Sequence, residues 1–491
     1  MTARASAAHH AGRLDIVPVD LSTVAPVRRS ASLRRLLQLS AVVMHRVLLV
    51  IVTNRFVRDR DRRKARLGRS LAIAVAELGV TFVKIGQLLA SSPSIAGKTL
   101  SDAMRVVLDD GPSIPFEDVR RIVERDLGRR MEDVFADFEP QPFAAASLAV
   151  VHRATLVDGT PVAVKVLRPD SATIVATDLS LVRPFVRWLA RQVPIGMLPA
   201  LPDAIDGLAE QLAEELDLRN EARVMRWFDE MVGIIGAKKV RVPATIAAAS
   251  GPSVLTMELV EGAKIDDLTG LATGDIDARS AVKALIESWF ALTLCTGVFH
   301  GDMHAGNLLI APDGDVVLLD WGIVGRLPGP SLRFFRRSLE GSLGDETAWP
   351  EVRDHLLSTM PPSALDSLGI GPDAFLQIVR TQTMMIMTAP FRELDLMMLT
   401  PMASLPAEAQ AELPDSPRDW IRVVRAERKK LKSGELPAPQ DSAPRGELLL
   451  VKQLVFFERY GKLFLDDEPL LYDTDVYRAL LAATADATTT T

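Results

Sequence analysis

Residues 300–322 read HGDMHAGNLLIAPDGDVVLLDWG, and their spacing decides how the rest of the chain is interpreted. Asp302 precedes Asn307 by five residues, and Asp320 follows an apolar run that is expected to form a buried strand. A short hairpin with an Asp-Gly turn fills the interval between these two loops. Carboxylate and amide oxygens are ligands that Mg²⁺ prefers, so a hairpin that brings the loops together would create a metal site.

Each side chain of this pattern has an expected role in phosphotransfer chemistry. Asp302 is the carboxylate that would meet an acceptor hydroxyl, while Asn307 and Asp320 would converge on Mg²⁺ between nucleotide phosphates. For any one of these residues, a solvated turn is the simpler interpretation. The complete spacing, followed by a strand and DWG, favours phosphotransfer.

The bulk composition indicates a globular protein with more than one lobe. The chain has 491 residues, of which 48% are hydrophobic, and this length exceeds what a single core accommodates. A net charge of −6 does not indicate the excess of basic residues that is typical of nucleic-acid-binding proteins, so no nucleic-acid partner is expected. The single cysteine, Cys295, excludes an intramolecular disulfide framework and suits a reducing cytoplasm. Its apolar surroundings predict a core residue rather than a nucleophile.

Residues 36–52 are the stretch of the chain that comes nearest to membrane hydrophobicity. Polar residues interrupt this stretch, it is short for a bilayer span, and arginines crowd both of its flanks. Two interpretations stay open. It is either an interfacial helix attracted to the anionic inner face of a membrane, or an ordinary amphipathic helix packed on its own protein. The expected location is cytoplasmic, with peripheral attachment in the first case.

The order of patterns along the chain predicts an α+β, protein-kinase-like bilobal fold. Residues 32–140 are expected to form a helical extension, and residues 141–262 a small sheet lobe with inserted helices. Residues 263–480 are expected to form a mostly helical second lobe that carries the catalytic and metal loops. The ends, residues 1–31 and 481–491, are expected to be disordered or flexible.

The small lobe contains a predicted phosphate-binding region. Residues 148–157 and 161–167 alternate around an Asp-Gly turn, and Lys165 in the second strand would point under the preceding turn. That preceding turn reads Ala144-Ala145-Ala146-Ser147 instead of a glycine-rich loop. Its backbone N–H groups can face phosphate, but alanine resists the positive φ angles that glycine adopts freely, so a stiffer loop is expected.

Two further segments complete the expected nucleotide site. An acidic segment is predicted as one helix on which Asp217 and Glu221 share a face, and Glu221 is the natural ion-pair partner of Lys165. A later strand leads to an interlobe hinge, where the backbone between Glu258 and Val260 could bind adenine. The expected cofactors are therefore ATP or ADP together with Mg²⁺.

Several motifs occur in a characteristic order: KIGQ (84–87), AAAS (144–147), VAVK (162–165), ELD (215–217), NEA (220–222), HGDMHAGN (300–307) and DWG (320–322). As a set they resemble the UbiB/AarF/ADCK family of atypical kinases, over roughly residues 60–330. The resemblance implies the Lys165–Glu221 ion pair, a catalytic Asp302 and a metal held by Asn307 and Asp320.

The resemblance also implies roles that spacing alone leaves open. Lys84 and Gln87 would belong to an extension that folds over the active site and blocks the usual peptide-substrate groove. Glu215 and Asp217 would meet that extension. The family's usual role is ATP-dependent support of isoprenoid quinone (ubiquinone) or other lipid metabolism at a membrane, with ATPase activity better supported than protein phosphorylation. A lipid or isoprenoid small molecule is accordingly an expected partner.

Two alternatives stay open, and the first comes from departures from the family pattern. HGDMHAGN stands where HADPHPGN is usual, and DWG where DFG is usual. This combination is also typical of aminoglycoside- and choline-type small-molecule phosphotransferases, which lack the KIGQ helix and the alanine-rich loop. The second alternative is an ATP-driven scaffold with little phosphotransfer, against which the intact Lys165, Asp302, Asn307 and Asp320 argue.

Overall fold

The computed structural model describes residues 14–24, 29–54, 59–90, 114–192, 201–237, 239–274, 276–360, 365, 370–396 and 445–484. Its strands are β1 (Phe135–Phe138), β2 (Ala144–Ala145), β3 (Ala149–Leu156), β4 (Pro161–Leu167), β5 (Val240–Arg241), β6 (Val254–Glu258), β7 (Ala263–Lys264), β8 (Val298–His300), β9 (Leu308–Ile310), β10 (Val316–Leu318) and β11 (Val324–Arg326). Its longer helices are α1 (Arg29–Asn54), α2 (Arg60–Leu78), α3 (Val80–Ala90), α4 (Phe116–Leu127), α5 (Ser171–Gln192), α6 (Leu201–Glu215), α7 (Leu218–Ile235), α8 (Leu268–Thr273), α9 (Ala278–Thr296), α10 (Gly329–Ser342), α11 (Trp349–Ser358), α12 (Pro372–Thr388), α13 (Arg445–Phe464) and α14 (Thr474–Thr484).

The small lobe is built on a five-stranded sheet of order β1-β3-β4-β6, with β2 paired to β3. The predicted hairpin is confirmed, because β3 and β4 pair antiparallel from Ala149–Leu167 to Thr155–Pro161. Gly159 in the turn has a φ of +88°, which an L-residue with a Cβ rarely adopts. Fully buried valines on β3 and β4 pack against α4, and this packing holds the sheet in place.

Two small sheets bring the catalytic loops together. Strands β8 and β11 pair antiparallel, and β9 and β10 form the predicted hairpin. The loop that carries Asp302 joins β8 to β9, and the loop that carries Asp320 joins β10 to β11. Because each loop is flanked by strands that pair with those of the other, the two carboxylates are held at the same end of the sheets.

The structure corrects two sequence expectations about the small lobe. Strand β5 falls within residues 141–262 but pairs parallel with β10 of the second sheet, so it belongs to the other lobe. The acidic segment predicted as one helix is two helices, α6 and α7. Asp217 lies between them in an extended conformation, and its carboxylate accepts a hydrogen bond from Arg219 N. An aspartate in this N-cap position starts a new helix rather than continuing the old one.

An aromatic cluster forms the centre of the second lobe. The ring of Trp289 on α9 packs nearly edge-on against Phe290, Phe299, Phe335 and Phe457, at centroid distances of 5.2 to 5.8 Å. The cluster joins α9, α10 and α13 to β8, the strand that leads into the Asp302 loop. Cys295 on α9 is buried nearby in the same core, and burial raises the pKa of its thiol to about 11. This agrees with its expected place in the core.

The chain ends differ in part from the predicted disorder. Residues 1–13 and 485–491 lie outside the described residues, but residues 14–20, which have no regular secondary structure, are packed on the body of the protein. Val17 exchanges hydrogen bonds with the Asn220 side chain at 3.0 and 2.9 Å, and Val19 N donates to Ala213 O at 2.8 Å. This segment has alternating apolar residues that bury one edge against α6 and α7.

Helices α1, α2 and α3 lie almost entirely within residues 32–140, the range predicted as a helical extension. The end of that range belongs to the small lobe instead, because β1 pairs with β3 and α4 packs on the same sheet. Gly79, with a φ of +91°, separates α2 from α3 and lets the chain change direction. Helix α3 contains the whole KIGQ motif. Over the described part of the chain, no helix is both long enough and apolar enough to cross a bilayer.

A buried ion pair attaches this extension to the kinase-like body. Arg35 on α1 donates Nε and Nη2 to the two carboxyl oxygens of Asp178 on α5, at 2.7 and 2.9 Å. Arg35 also donates to Leu78 O at the end of α2. The Asp178 side chain is completely buried, and the Arg35 guanidinium neutralises its charge through this bidentate contact.

We expect Arg35→Leu to destabilise the protein by about 3 kcal/mol, because it leaves the Asp178 carboxylate buried without its cation. The measurement is the free energy of unfolding in denaturant. Arg34→Leu, which changes an exposed neighbour on the same helix, is the matched control and should stay within about 0.5 kcal/mol of wild type. Equal stability of the two variants would show that Asp178 does not depend on Arg35.

Candidate functional site

A single cavity between the two lobes collects most of the residues that the sequence singles out. Its lining includes these predicted site residues: Lys84, Ala146, Ser147, Lys165, Glu215, Asp217, Glu221, Asp302, Asn307 and Asp320. The remaining predicted residues, namely Gln87, Ala144, Ala145, Glu258 and Val260, are not part of that lining. The fold therefore unites residues that are up to 236 positions apart, from Lys84 to Asp320.

Lys165 lies at the centre of the site. Its Nζ is 2.8 Å from Glu221 Oε1 and 3.0 Å from Asp320 Oδ1, so it bridges strand β4, helix α7 and the DWG turn. Burial alone would lower the pKa of Lys165, but Asp320 and Glu221 together raise it well above its ordinary value. The side chain is therefore a permanent buried cation held between two carboxylates.

Glu221 connects this cation to the DWG turn. It is buried in the first turn of α7, and its Oε1 also accepts a hydrogen bond from Trp321 N at 3.1 Å. Burial raises the pKa of Glu221, and the Lys165 ammonium opposes that rise. The predicted Lys165–Glu221 ion pair is present, and it fixes the backbone that follows Asp320.

Asp320 is held in an unusual backbone conformation. Its φ of +47° lies in the left-handed region, which aspartate tolerates better than most residues but which still carries strain. Its Oδ1 accepts hydrogen bonds from Lys165 and from Gly322 N, at 3.0 and 3.2 Å. Burial opposes ionisation, but the Lys165 charge outweighs it and holds the pKa of Asp320 far below its usual range. A strained, ionised carboxylate at a cavity wall is suited to bind a cation.

Trp321 locks the DWG turn against both lobes. The centroid of its ring lies 4.3 Å from that of Phe228 on α7 and 4.5 Å from that of His300. Its Nε1 donates a hydrogen bond to Leu318 O at 3.0 Å. The indole is almost fully buried. A side chain of this size leaves the turn little room to rotate, so Asp320 remains directed at Lys165.

The Asp302 loop is ordered by its own histidine and asparagine. His300 Nδ1 accepts from Asp302 N, so its Nε2 is the nitrogen that donates to Leu319 O. Burial lowers the pKa of His300, which agrees with this neutral form. The Asn307 amide donates through Nδ2 to Asp302 O at 3.0 Å, which leaves its oxygen as the atom available to a metal ion. Asn307 and Asp320 thus offer the oxygen donors that Mg²⁺ requires.

The alanine-rich turn is held from beneath by a buried arginine. Ala144 and Ala145 form strand β2 against β3, and Ala146 N donates to Ala149 O at 2.8 Å. The Arg168 guanidinium donates to Ser147 O and Ala146 O at 3.0 and 3.1 Å. The turn is therefore tied down by its carbonyl groups, a restraint that the sequence pattern did not reveal.

The KIGQ helix reaches the site through one ion pair. Lys84 Nζ lies 3.0 Å from Glu215 Oε2, and both side chains are largely buried. Burial alone would lower the pKa of Lys84, but Glu215 and, at greater distance, Asp320 and Asp302 raise it. Gln87 lies three residues further along α3 and is half-buried. Of the two acidic residues expected to meet the extension, Glu215 does so, whereas Asp217 caps α7 and pairs with Arg219 at 2.6 Å.

At the predicted adenine hinge, both the backbone N–H and the carboxylate of Glu258 already have partners within the protein. Glu258 N donates to Ala244 O at 2.8 Å, and the Glu258 carboxylate pairs with Arg241 at 3.1 Å. Val260 lies beyond the end of β6 and outside any strand. Adenine binding at this hinge stays a prediction, with Val260 as the better placed of the two residues for a backbone contact.

Two contacts with the site come from distant parts of the chain and were not predicted. Ile16 of the N-terminal segment lines the cavity beside Lys84 and Asn220. Lys452 on α13 places its Nζ 2.6 Å from Asp302 Oδ1. Burial alone would raise the pKa of Asp302, but Lys452 and, more weakly, His304 and Lys84 bring it below its ordinary value. No local sequence motif predicts either contact, since each depends on how a remote segment of the chain packs.

Comparison with known proteins matches this arrangement to one family. A family model described as the ABC1 atypical kinase-like domain matches residues 106–343. The match begins ahead of α4 and ends after α10, so it contains the small lobe, the Asp302 loop and the DWG turn.

Individual relatives give the same result over similar spans. A Mycobacterium tuberculosis protein named as uncharacterized is 39% identical over 55% of this chain and 55% of its own length. The probable protein kinase UbiB of Marinobacter nauticus is 30% identical over 59% and 56%. The Arabidopsis thaliana chloroplast protein ACTIVITY OF BC1 COMPLEX KINASE 1 is 34% identical over 52% and 37%.

These matches extend over about half the length of the curated relatives or less. The family-model match, residues 106–343, contains the alanine-rich turn, the Lys165–Glu221 pair and the loops that carry Asp302 and Asp320. The order of the motifs, their convergence on one cavity and the matched family model agree, and residues 106–343 form an ABC1 atypical kinase-like domain.

Proposed function

We propose that this protein is a Mg²⁺-dependent atypical kinase or ATPase that binds ATP or ADP. The observation that carries the proposal is the Lys165 ammonium, held between Glu221 and Asp320 in a cavity that Asp302 and Asn307 also line. A buried cation, two metal-ligand oxygens and a further carboxylate in one cleft are the parts that phosphoryl transfer requires.

The two ends of a nucleotide would meet different elements of the cleft. Lys165 and the backbone of the AAAS turn, residues 144–147, would face the phosphates, with Ala146 and Ser147 on the cavity side. The adenine would lie toward the hinge at Glu258 and Val260. Arg168 holds the carbonyl groups of Ala146 and Ser147, and Ala146 N is bonded to Ala149 O, so of these two residues it is Ser147 whose N–H would face phosphate.

Asn307 and Asp320 would hold the metal ion. Mg²⁺ supplies positive charge that neutralises the phosphate oxygens during transfer. Asp320 contributes an ionised carboxylate whose conformation is fixed by Lys165 and Gly322, and Asn307 contributes an amide oxygen oriented by its bond to Asp302. Neither side chain has to reorganise before it binds the cation, which is the advantage of a preorganised site.

Asp302 would act on the acceptor, as the carboxylate that receives its proton. The cavity wall at this point also contains Lys84, Glu215 and Ile16, which come from the KIGQ helix, α6 and the N-terminal segment. These residues would narrow the space available to an extended peptide substrate. Water or a small acceptor is therefore favoured over a protein substrate, and ATPase activity over protein phosphorylation.

Isoprenoid quinone or other lipid metabolism at a membrane is the proposed physiological setting. The physical support is helix α1, which exposes a row of large apolar side chains. Leu33, Leu37, Met44 and Leu48 are each more than half exposed, and their spacing places them along one stripe. Arg35, by contrast, faces the protein and pairs with Asp178. A helix that turns leucines outward and an arginine inward needs an apolar partner.

A bilayer surface meets that need better than water does. The exposed stripe of α1 is followed by exposed arginines of α2, and α5 adds two exposed aromatic rings, Phe185 and Trp188, 6.0 Å apart. Exposed leucines with neighbouring arginines and aromatic side chains are the composition of a membrane-interface surface. Peripheral attachment to the inner face of the membrane would bring a lipid or isoprenoid acceptor to the cleft.

The alternatives differ in what they phosphorylate. A small-molecule phosphotransferase of the aminoglycoside or choline type would transfer phosphate to a soluble amino alcohol, and the HGDMHAGN motif favours it. An ATP-driven scaffold would hydrolyse ATP without an acceptor. Radiolabelled ATP offered with soluble amino alcohols, with isoprenoid lipids in vesicles and with no acceptor separates the three outcomes.

We expect Asp320→Asn to remove Mg²⁺-dependent nucleotide binding and to leave the protein folded, because the carboxylate faces the cavity rather than the core. Saturating wild type with Mg²⁺-ATP at 100 times Kd should add about 2.7 kcal/mol of stability and raise Tm by several degrees. The variant should show no such rise in a thermal-shift titration. Asp313→Asn, in the turn of the same hairpin, is the matched control. An undiminished Mg²⁺-nucleotide shift in Asp320→Asn would refute the assignment of this residue.

We expect attachment to anionic vesicles to require both the apolar stripe and the basic residues. One variant removes the apolar stripe by changing Leu37, Met44 and Leu48 to glutamine. A second variant reverses the basic charge by changing Arg62, Arg63 and Arg66 to glutamate. Each basic residue near an anionic surface contributes about 1 kcal/mol to the free energy of binding. The charge reversal should therefore reduce the amount of vesicle-bound protein more than tenfold. Flotation with anionic vesicles is the measurement.

The controls separate surface attachment from unfolding. Leu448→Gln changes an exposed leucine on α13, far along the chain from α1, and should float as wild type does. Added salt should weaken the binding of wild type, since exposed charges are screened. If all variants float equally, or if wild type does not float, α1 is better interpreted as a helix that packs on protein.

A further inference from the structure

Helix α13 supports the loop that carries Asp302 through main-chain hydrogen bonds. Gln453 Nε2 donates to Gly301 O at 2.8 Å, and its Oε1 accepts from Met303 N at 3.0 Å. Tyr460 OH donates to Met303 O at 2.7 Å. Both side chains are completely buried, so they satisfy backbone groups on either side of Asp302 and fix the path of the loop.

The contact made by Lys452 is of another kind. It is the residue before Gln453, yet its Nζ reaches the Asp302 carboxylate itself, at 2.6 Å. The side chains of Lys452 and Asp302 remain 27% and 20% exposed, so the pair is not in the core, and Asp302 is one of the residues that line the cleft. A cation that is paired with this carboxylate can act through it on what binds in the cleft.

The other basic side chains near this carboxylate have hydrogen-bond or ion-pair partners of their own. The His304 ring, two residues after Asp302, accepts a hydrogen bond from Gly306 N and so shapes the turn. Lys84 lies on the other side of the cleft and is paired with Glu215. Among the ion pairs of the described residues, the partner of Asp302 is Lys452, 150 positions further along the chain.

We propose that Lys452 is a positioning residue for phosphoryl transfer, which acts through Asp302. The inference rests on the proposed function. In the transfer step the acceptor O–H bond breaks and its proton passes to Asp302, while the acceptor oxygen forms the new bond to phosphorus. The bond between that phosphorus and the bridging oxygen breaks, and the nucleoside diphosphate leaves with the electron pair. An ionised Asp302 must therefore approach an anionic phosphoryl group.

Lys452 serves this approach in two ways. The ion pair holds one carboxylate oxygen and leaves the other free to meet the acceptor. Its positive charge also offsets the repulsion between the carboxylate and the phosphoryl oxygens. Neither effect requires Lys452 to contact the nucleotide, so its removal should slow turnover and leave nucleotide affinity almost unchanged.

The first test compares Lys452→Met, Lys452→Arg and wild type by steady-state ADP release with Mg²⁺-ATP. Lys452→Met should lower kcat about 10- to 100-fold, as loss of one preorganised charge typically does, with KM for ATP changed less than about threefold. Lys452→Arg keeps the charge and should recover most of kcat. Lys462→Met is the matched control, because this lysine of the same helix pairs with Glu458 away from the loop. It should leave kcat unchanged.

The second test asks whether Lys452 acts through Asp302. In an Asp302→Asn background, adding Lys452→Met should cause no further loss of kcat, since the two changes remove the same interaction. Equal loss in both backgrounds would overturn the inference. So would a wild-type kcat in Lys452→Met, or a loss in Lys452→Met that arginine does not rescue and that a lower Tm accompanies.

These results are distinguishable from failure of the proposed function. Turnover that is lost in Asp320→Asn and intact in Lys452→Met overturns the role of Lys452 and leaves the nucleotide site standing. Wild-type protein without Mg²⁺-ATP turnover in any acceptor condition overturns both.

Discussion

The contact on which the candidate site depends is the buried ammonium of Lys165 between the carboxylates of Glu221 and Asp320. It joins a strand of the small lobe, the first turn of α7 and the DWG turn of the second lobe. Removing the cation would leave two neighbouring carboxylates facing each other in a poorly solvated space, which is costly. The same arrangement keeps Asp320 ionised in a strained conformation. The order of the site and its proposed metal binding therefore depend on one interaction.

Around this centre, remote segments tether each functional loop. Arg168 ties down the AAAS turn, Lys84 joins the KIGQ helix to Glu215, and α13 holds the Asp302 loop. Each tether consists of charged or buried polar groups whose partners are fixed, so the loops are held by contacts with definite geometry. This suits a site that acts by preorganised electrostatics, in which a misplaced charge weakens the transition-state interaction. It also explains how a turn without glycines remains in place over the cleft.

Much of the fold was predictable because its signals are local. The Asp-Gly turn and the alternating residues around it predicted the β3–β4 hairpin, and the apolar run after the Asp302 loop predicted β9 and β10. The pairing of β5 with β10 was not predictable, since a two-residue strand carries too little pattern to select its sheet. The break at Asp217 was missed because helical periodicity continues across it, and the capping bond to Arg219 N decides the matter. Residues 14–20 resembled a disordered end in composition, but packing on α6 and α7 orders them.

The sequence by itself determined the kinase-like class, the order of the motifs and the identity of the residues that converge on the cleft. It did so because phosphotransfer needs particular side chains at short, fixed spacings within loops. Only the tertiary structure decided which residues surround those motifs: Ile16 at the cavity, Arg168 beneath the turn and Lys452 beside Asp302. These contacts join segments separated by tens to hundreds of residues, and the packing of whole helices sets them. A lysine at position 452 has no local feature to mark it until α13 lies against the catalytic loop.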